Sequence, residues 1–281
     1  MTDESLELPP PSLRFRRGMR IRESLRDLWR VREVIGALVE RELRSRYAQA
    51  VLGFAWVLIG PFVLMVVFSV FFNRVAKIDT HGIPYALFSY VGLLPWTFFS
   101  GAVSSGGMAL VSNVALLNKV YAPREVFVLS SVATKIVDTT LAALALVFLF
   151  LVKETAPKGT SVWVPLLLLI LLVFTTAVTL LAAALTVYLR DLRHALPLIL
   201  QLGMFATPVL YGSGAIPHKW RLIYAGMNPV AATIDGLRQA VLYGHAPRAD
   251  TTLVAAAVSV VWLLVGYAVF KQLEAGFADV A

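Results

Sequence analysis

Lys135 and Asp138 stand one helical turn apart inside an apolar stretch running from Val126 to Val152. A charge in lipid is costly, so such a pair is read first as part of a path through the membrane. The same spacing also lets the two side chains neutralise each other as an internal i,i+3 pair. A proton relay would need acids in other apolar stretches, and the sequence offers none. Other chemistry is sparse. The phosphate-binding pattern Gly-x-x-x-x-Gly-Lys-Ser/Thr does not occur, so ATP is not bound by that route, and Gly212-Ser213-Gly214 reads as a turn. His81, His194, His218 and His245 are far apart, which argues against a metal centre. There is no cysteine for a disulfide or a thiolate site. Asp79, Glu125, Asp191 and Asp235 are isolated carboxylates, which argues against a membrane glycosyltransferase. The chain is therefore expected to hold no cofactor and to catalyse no reaction of its own.

The elements that must position these residues are membrane spans. The 281 residues are 58% hydrophobic and only 15% charged, where a soluble domain is about a quarter charged. The apolar residues fall in blocks of about 20, enough to cross a hydrocarbon core of about 30 Å as a helix. Backbone groups in that core find no water, so the blocks must be helices, and they do not alternate as barrel strands would. The expected class is an all-α integral membrane protein with six transmembrane helices, at about 51–72, 85–111, 126–152, 162–189, 195–211 and 253–270. A polar tail occupies 1–22 and carries no apolar core of a cleaved signal peptide. Leu28, Val31, Ile35, Leu38, Val39 and Leu43 recur at three- and four-residue spacing, which predicts an amphipathic helix over 23–48 lying on the membrane surface. Arg41, Arg44 and Arg46 precede the first span and place the N-terminus in the cytoplasm; counting spans returns 271–281 to the same side. The net charge of +8 is thereby explained by orientation in the membrane, and nucleic acid is not an expected partner.

Three further groups carry alternatives. Phe54, Trp56 and Phe62 in the first span and Tyr90, Trp96, Phe98 and Phe99 in the second are either interfacial and lipid-facing rings or a wall on which sugar rings stack. The second span also holds Gly92, Pro95, Gly101, Gly106 and Gly107, so it is kinked, broken or tightly packed. Asn113 to Glu125 falls on the cytoplasmic side by counting. Leu116, Leu117, Val120 and Tyr121 beside Lys119 and Arg124 suit a short helix docked on a protein partner better than a plain loop. Residues 215–243 read as two short amphipathic helices split at Asn228-Pro229, too polar to span and suited to dip into the outer leaflet.

An ordered set of short motifs then gives a resemblance. Arg44-Ser45-Arg46-Tyr47, Val51 to Trp56 with Gly60-Pro61, Gly92 to Trp96, Asn118 to Glu125, Tyr188 to His194, Asn228-Pro229 with Gly236-Leu237-Arg238, and Phe277 to Val280 stand as they do in ABC-2 type permeases that export polysaccharides such as O-antigen, capsule and teichoic acid. The chain resembles that class from about residue 33 to its end, with Lys135 departing from the more apolar third span of the class. The resemblance implies a permease domain over 51–273 that pairs as a homodimer and binds two copies of a separate ABC ATPase, on which ATP and Mg reside. It implies a bacterial inner or plasma membrane location and a polyprenyl-diphosphate-linked glycan as substrate. Under it, 23–48 is an interface helix and 113–125 a coupling helix, with Asn118, Lys119, Tyr121, Pro123, Arg124 and Glu125 facing the ATPase. Residues 215–243 become outer gate helices, with Trp220, Asn228, Pro229, Asp235 and Arg238 as gate residues. Arg44, Arg46, Arg190 and Arg193 are candidates for the diphosphate head group, as against topology signals and lipid head-group contacts. A drug or small-molecule exporter of the same architecture is the alternative; it is expected to lack the amphipathic helix and the aromatic-rich first two spans. A passive channel needs no partner.

Overall fold

Helix-forming apolar runs bounded by glycine, proline and polar caps give a wholly helical chain among the described residues, with four helices long and apolar enough to cross a membrane. The structure, a computed structural model, describes residues 31–47, 53, 55–71, 80, 82–117, 123–274, 276 and 277. The expected tail at 1–22 lies outside them. In chain order the helices are α1 (Arg32–Tyr47), α2 (Ala55–Phe71), α3 (Tyr85–Gly107), the single turns α4 (Ala109–Ser112) and α5 (Val114–Leu117), α6 (Glu125–Val152), α7 (Val164–Tyr188), α8 (Leu192–Ala206), α9 (Arg221–Met227), α10 (Pro229–Arg238) and α11 (Ala249–Glu274). The four long ones are α3, α6, α7 with its leading 3-10 turn from Gly159, and α11; of the shorter apolar helices, α2 lies within the expected first span, and α8 overlaps the expected fifth, starting at Leu192 rather than 195.

The ends follow local chemistry. Asn228 caps α10, its Oδ1 accepting from the Ala231 amide at 3.1 Å, and Pro229 sits at the first turn where its missing N–H is harmless. The Asn-Pro break is thus a helix start. Pro208 keeps Thr207 extended (ψ 138°) and ends α8 at Ala206, five residues short of the expected 211. α3 stops at Gly106-Gly107, and the Asn113 side chain, donating to the Ala109 carbonyl at 2.8 Å, diverts the chain into separate turns. The last helix continues to Glu274, so Lys271 belongs to its final turn and not to a tail.

α3 is the hub, packed by α2, α6, α7, α8 and α10, while α11 lies along α7 and α1 along α6. Lipid tails are as apolar as leucine, so helices associate through close packing and polar contacts. The glycines of α3 serve that packing: a Cβ on Gly107 would come within 2.9 Å of Leu196 and 3.3 Å of Ala182. The outward faces remain apolar, with Leu144, Val147, Phe148 and Leu151 of α6, Leu168 and Leu169 of α7, and Val261 and Leu264 of α11 exposed. In water such a surface would drive aggregation; in a bilayer it is the solvent-matched face.

The α7–α11 seam is a close backbone approach. A Cβ on Gly266 would stand 2.6 Å from the Ala177 carbonyl oxygen, which is backbone and cannot turn aside. Gly266→Val is expected to cost roughly 1–3 kcal/mol by overpacking, seen as a lowered melting temperature in detergent. Gly36→Ala, where no atom lies within 4 Å, is expected to leave it unchanged.

Candidate functional site

The intramembrane pair is part of a larger network. Asp138, 8% exposed, accepts through Oδ2 from Lys135 Nζ at 2.9 Å and from Arg46 Nη1 at 2.8 Å, and through Oδ1 from the Tyr47 hydroxyl at 2.8 Å. Arg46 also reaches Glu42 at 2.6 Å, and Glu42 Oε2 accepts from the Thr134 hydroxyl at 3.3 Å. Two carboxylates thus face two cations, and the four charges cancel while holding the end of α1 against α6. Burial and the Asp138 carboxylate push the Tyr47 hydroxyl above its ordinary range, so it stays protonated and donates. The expectation that Arg46 offers an anion site is corrected: its guanidinium is engaged by acids of the same chain. Arg44 pairs with Glu40 in solvent at 2.5 Å, a contact of small energy. Arg190 and Arg193 stand on the α7–α8 turn, where Arg193 Nε donates to the Arg190 carbonyl at 3.1 Å; neither makes an ion pair among the described residues.

Beside this network lies a seam of about 680 Å³ lined by Arg46, Tyr47, Lys135 and Asp138 at its polar side and by Trp56, Gly60, Pro61 and Leu64 on its apolar side. Trp56 is 56% exposed and opens onto it. Phe62 is partly buried against the core. Tyr90, Trp96, Phe98 and Phe99 depart from the expectation of an open wall: all four are buried, with Phe99 stacked on Phe174 at 5.9 Å and the Tyr90 hydroxyl donating to the Ala142 carbonyl at 2.9 Å. Their ring faces pack the hub helix and present no surface to a passing chain. Helical spacing alone cannot separate an inward stripe from a pore-lining one. Phe54 lies outside the described residues.

At the cytoplasmic end of the expected topology, the 113–125 segment is held at both flanks. Arg41 Nη2 donates to Asn113 Oδ1 at 2.9 Å, which fixes its start to α1. Its other flank begins at Pro123. Arg124 Nη1 donates to the Glu274 carbonyl at 2.7 Å, and its guanidinium lies 5.5 Å above the Phe277 ring. Glu125, 2% exposed, meets Lys271 at 2.9 Å, and Lys271 also bonds Glu274 at 2.8 Å. Asn118, Lys119 and Tyr121 lie outside the described residues.

At the opposite end, Arg238, expected as an outer gate residue, is 2% exposed. Its guanidinium donates to the carbonyls of Pro208 (2.7 Å), Tyr211 (3.0 Å), Phe88 (3.3 Å) and Val209, and lies 3.7 Å from the centroid of the Phe88 ring. Its hydrogen-bond partners here are four carbonyl groups rather than a carboxylate. These acceptors belong to the irregular chain after α8 and to α3, so one side chain from α10 ties three elements. The signal available in sequence was Pro208, which frees carbonyls that some donor must satisfy. Asp235, one turn earlier, accepts from the Ser213 hydroxyl at 2.5 Å and from Gln239 at 2.7 Å. Asn228 Nδ2 donates to the Thr207 hydroxyl at 2.9 Å, binding the start of α10 to the same stretch. Trp220 is 51% exposed, with Lys219 Nζ 5.8 Å from its ring centroid.

Residues 33–242 match the ABC-2 type transporter family. Over 257 residues the chain is 35% identical to the O-antigen export system permease protein RfbA of Myxococcus xanthus, covering 91% of this chain and 98% of that one. It is 25% identical over 251 residues to an O-antigen export system permease protein RfbA of Klebsiella pneumoniae, covering 88% and 95%. It is 20% identical over 241 residues to the polysialic acid transport protein KpsM of Escherichia coli, covering 85% and 93%.

Arg238→Met leaves four buried carbonyls short of a donor, each at about 1–3 kcal/mol if unsatisfied, and is expected to abolish a monodisperse folded state; Arg238→Lys, a point donor, is expected to give an intermediate melting temperature. Asp138→Asn removes the carboxylate that Lys135 and Arg46 share and is expected to raise amide hydrogen exchange over Arg32–Tyr47 by about tenfold or more while leaving α7 and α11 protected. Unchanged exchange there would refute the role of Asp138 as the α1 anchor.

Proposed function

The chain belongs to the ABC-2 type transporter family, and we propose that it is the permease subunit of an ATP-driven exporter that carries a polyprenyl-diphosphate-linked polysaccharide from the cytoplasm to the outer side of a bacterial cell membrane. The observation that carries this reading is the end-to-end likeness to permeases named for O-antigen and polysialic acid export, over 85% of the chain or more. The chain is a multi-pass membrane protein, and it has no phosphate-binding loop of its own. Its energy therefore comes from a separate ABC ATPase, two copies of which serve a permease homodimer.

The six-span layout, with both termini in the cytoplasm, is supported by four long apolar helices and by α2 and α8, which overlap the other two expected spans. α8 has 15 residues, about 22 Å at 1.5 Å per residue, short of a hydrocarbon core of about 30 Å. The fifth crossing is completed by the irregular stretch from Thr207, whose carbonyls are satisfied from within the protein by Arg238. Non-helical backbone is tolerated at membrane depth only under that condition. Residues 113–125 dock on the ATPase, and α9 and α10 form the outer gate. The diphosphate is attracted by Arg190, Arg193 and the weakly held Arg44 as it approaches the inner surface. Phe54 and Trp56 supply the rings along which the glycan slides, held loosely enough to be released.

The chain has no cysteine, so single-cysteine labelling runs on the natural background. Lys119→Cys is expected to react with an impermeant maleimide only in inside-out vesicles. Replacing 118–124 by a Gly-Ser linker is expected to abolish both ATPase co-purification and the appearance of glycan at the cell surface. Labelling of that cysteine from outside, or a permease that stays monomeric and recruits no ATPase, would overturn the reading.

A further inference from the structure

Glu125 opens α6 and is almost wholly buried, yet it is a carboxylate at the end of the segment that docks the ATPase. Among the described residues it forms one ion pair, with Lys271 in the last turn of α11. Its neighbour Arg124 reaches the same place, bonding the Glu274 carbonyl and covering the Phe277 ring. The end of α7 closes the group: the Tyr188 hydroxyl donates to the Leu273 carbonyl at 2.7 Å, and its ring lies 5.9 Å from Phe277. Phe277 also meets Phe270 edge-on at 5.7 Å. The far end of α11 packs on the outer pair, where a Cβ on Gly226 of α9 would sit 3.5 Å from Val254 and 3.9 Å from Val258. Lys271 and these two valines lie on one unbroken helix, roughly 20–25 Å apart at 1.5 Å per residue.

We propose that Lys271, Glu274 and Phe277 form a clasp that passes displacement of the 113–125 segment into α11, and through it to α9 and α10, with Glu125–Lys271 as the bond that carries the push. The proposal rests on the reading of 113–125 as the ATPase dock. Glu125 and Lys271 are positioning residues in it. The physical warrant is that a rigid helix clamped at one end by an ion pair, a guanidinium–carbonyl bond and stacked rings cannot lag behind the segment that holds it. A half-buried ion pair also resists separation, because parting the charges leaves a carboxylate in an apolar setting. Coupling energies between distant sites commonly correspond to changes of about 5- to 150-fold.

The test uses the full permease reconstituted with its ATPase in proteoliposomes, measuring ATPase binding, ATP hydrolysis and glycan export together. Lys271→Met is expected to keep ATPase binding and hydrolysis within about twofold of wild type while export per ATP falls about tenfold, and Glu125→Gln is expected to lower export per ATP by as much. The reversed pair, Glu125→Lys with Lys271→Glu, is expected to recover most of that ratio. Phe277→Ala removes the ring beneath Arg124 without touching the ion pair; it is expected to lower export per ATP in the same way even where the reversed pair does not fold. Folded single variants and Phe277→Ala with a normal export-to-ATP ratio would overturn the proposal. So would hydrolysis and export that fall together without rescue by reversal, the mark of a merely structural contact. A wild-type permease that binds no ATPase would overturn the docking reading itself, an outcome distinct from both.

Discussion

A backbone carbonyl inside a membrane has no water to turn to, and Arg238 is this protein's answer to that constraint. α8 stops early because Pro208 holds Thr207 extended, and the chain that follows would leave bare acceptors in an apolar environment. A single guanidinium, brought in by α10, meets the carbonyls of Pro208, Val209 and Tyr211 and one on α3. Arginine suits the task because its planar fork carries five donors and stays charged, whereas lysine offers a compact, strongly hydrated point charge. Tyr85, donating to the Leu210 carbonyl at 2.8 Å, finishes the set. The α9–α10 pair can therefore lie against the hub without being a span, and α3 can be the most enclosed helix of the bundle.

The opposite end is organised by charge pairs. Asp138 gathers α1 onto α6, Asn113 is tied to α1, and Glu125 is tied to α11. These contacts join α1 to α6, α1 to the turn after α4, and α6 to α11. Helices bathed in lipid gain little from hydrophobic attraction to one another, so polar contacts of this kind fix their order and register. The Asp138 network is neutral within itself, whereas Arg190 and Arg193 of the α7–α8 turn make no ion pair among the described residues.

Much of this was legible from residue order. Long apolar blocks gave the helices because a bilayer permits little else, and Asn228-Pro229 marked a boundary because cap chemistry is local. Lys135 and Asp138 could be paired on paper because three residues separate them. What lay 92 residues away could not: nothing in the neighbourhood of Arg46 points to Asp138. Arg238 looked like one more outer charge, since burial depends on which carbonyls the fold leaves open. The rings of the second span were ambiguous for a related reason. A helix shows a periodic stripe whether it faces a core or a cavity, and here Tyr90, Trp96, Phe98 and Phe99 face the core. The boundary of the last span was drawn short because Lys271 resembles a stop signal until Glu125 is found beside it.

The brevity of α8 also acts outward, on the lipid. Leu198, Ile199, Leu202 and Phe205 present 55–70% of their surface along a helix of 15 residues, while its neighbour α7 carries 25. A bilayer meeting a short apolar face adapts by thinning, at a fraction of a kcal/mol per Å. The short helical face of α8 therefore favours a thinner bilayer beside it than the longer α7 does.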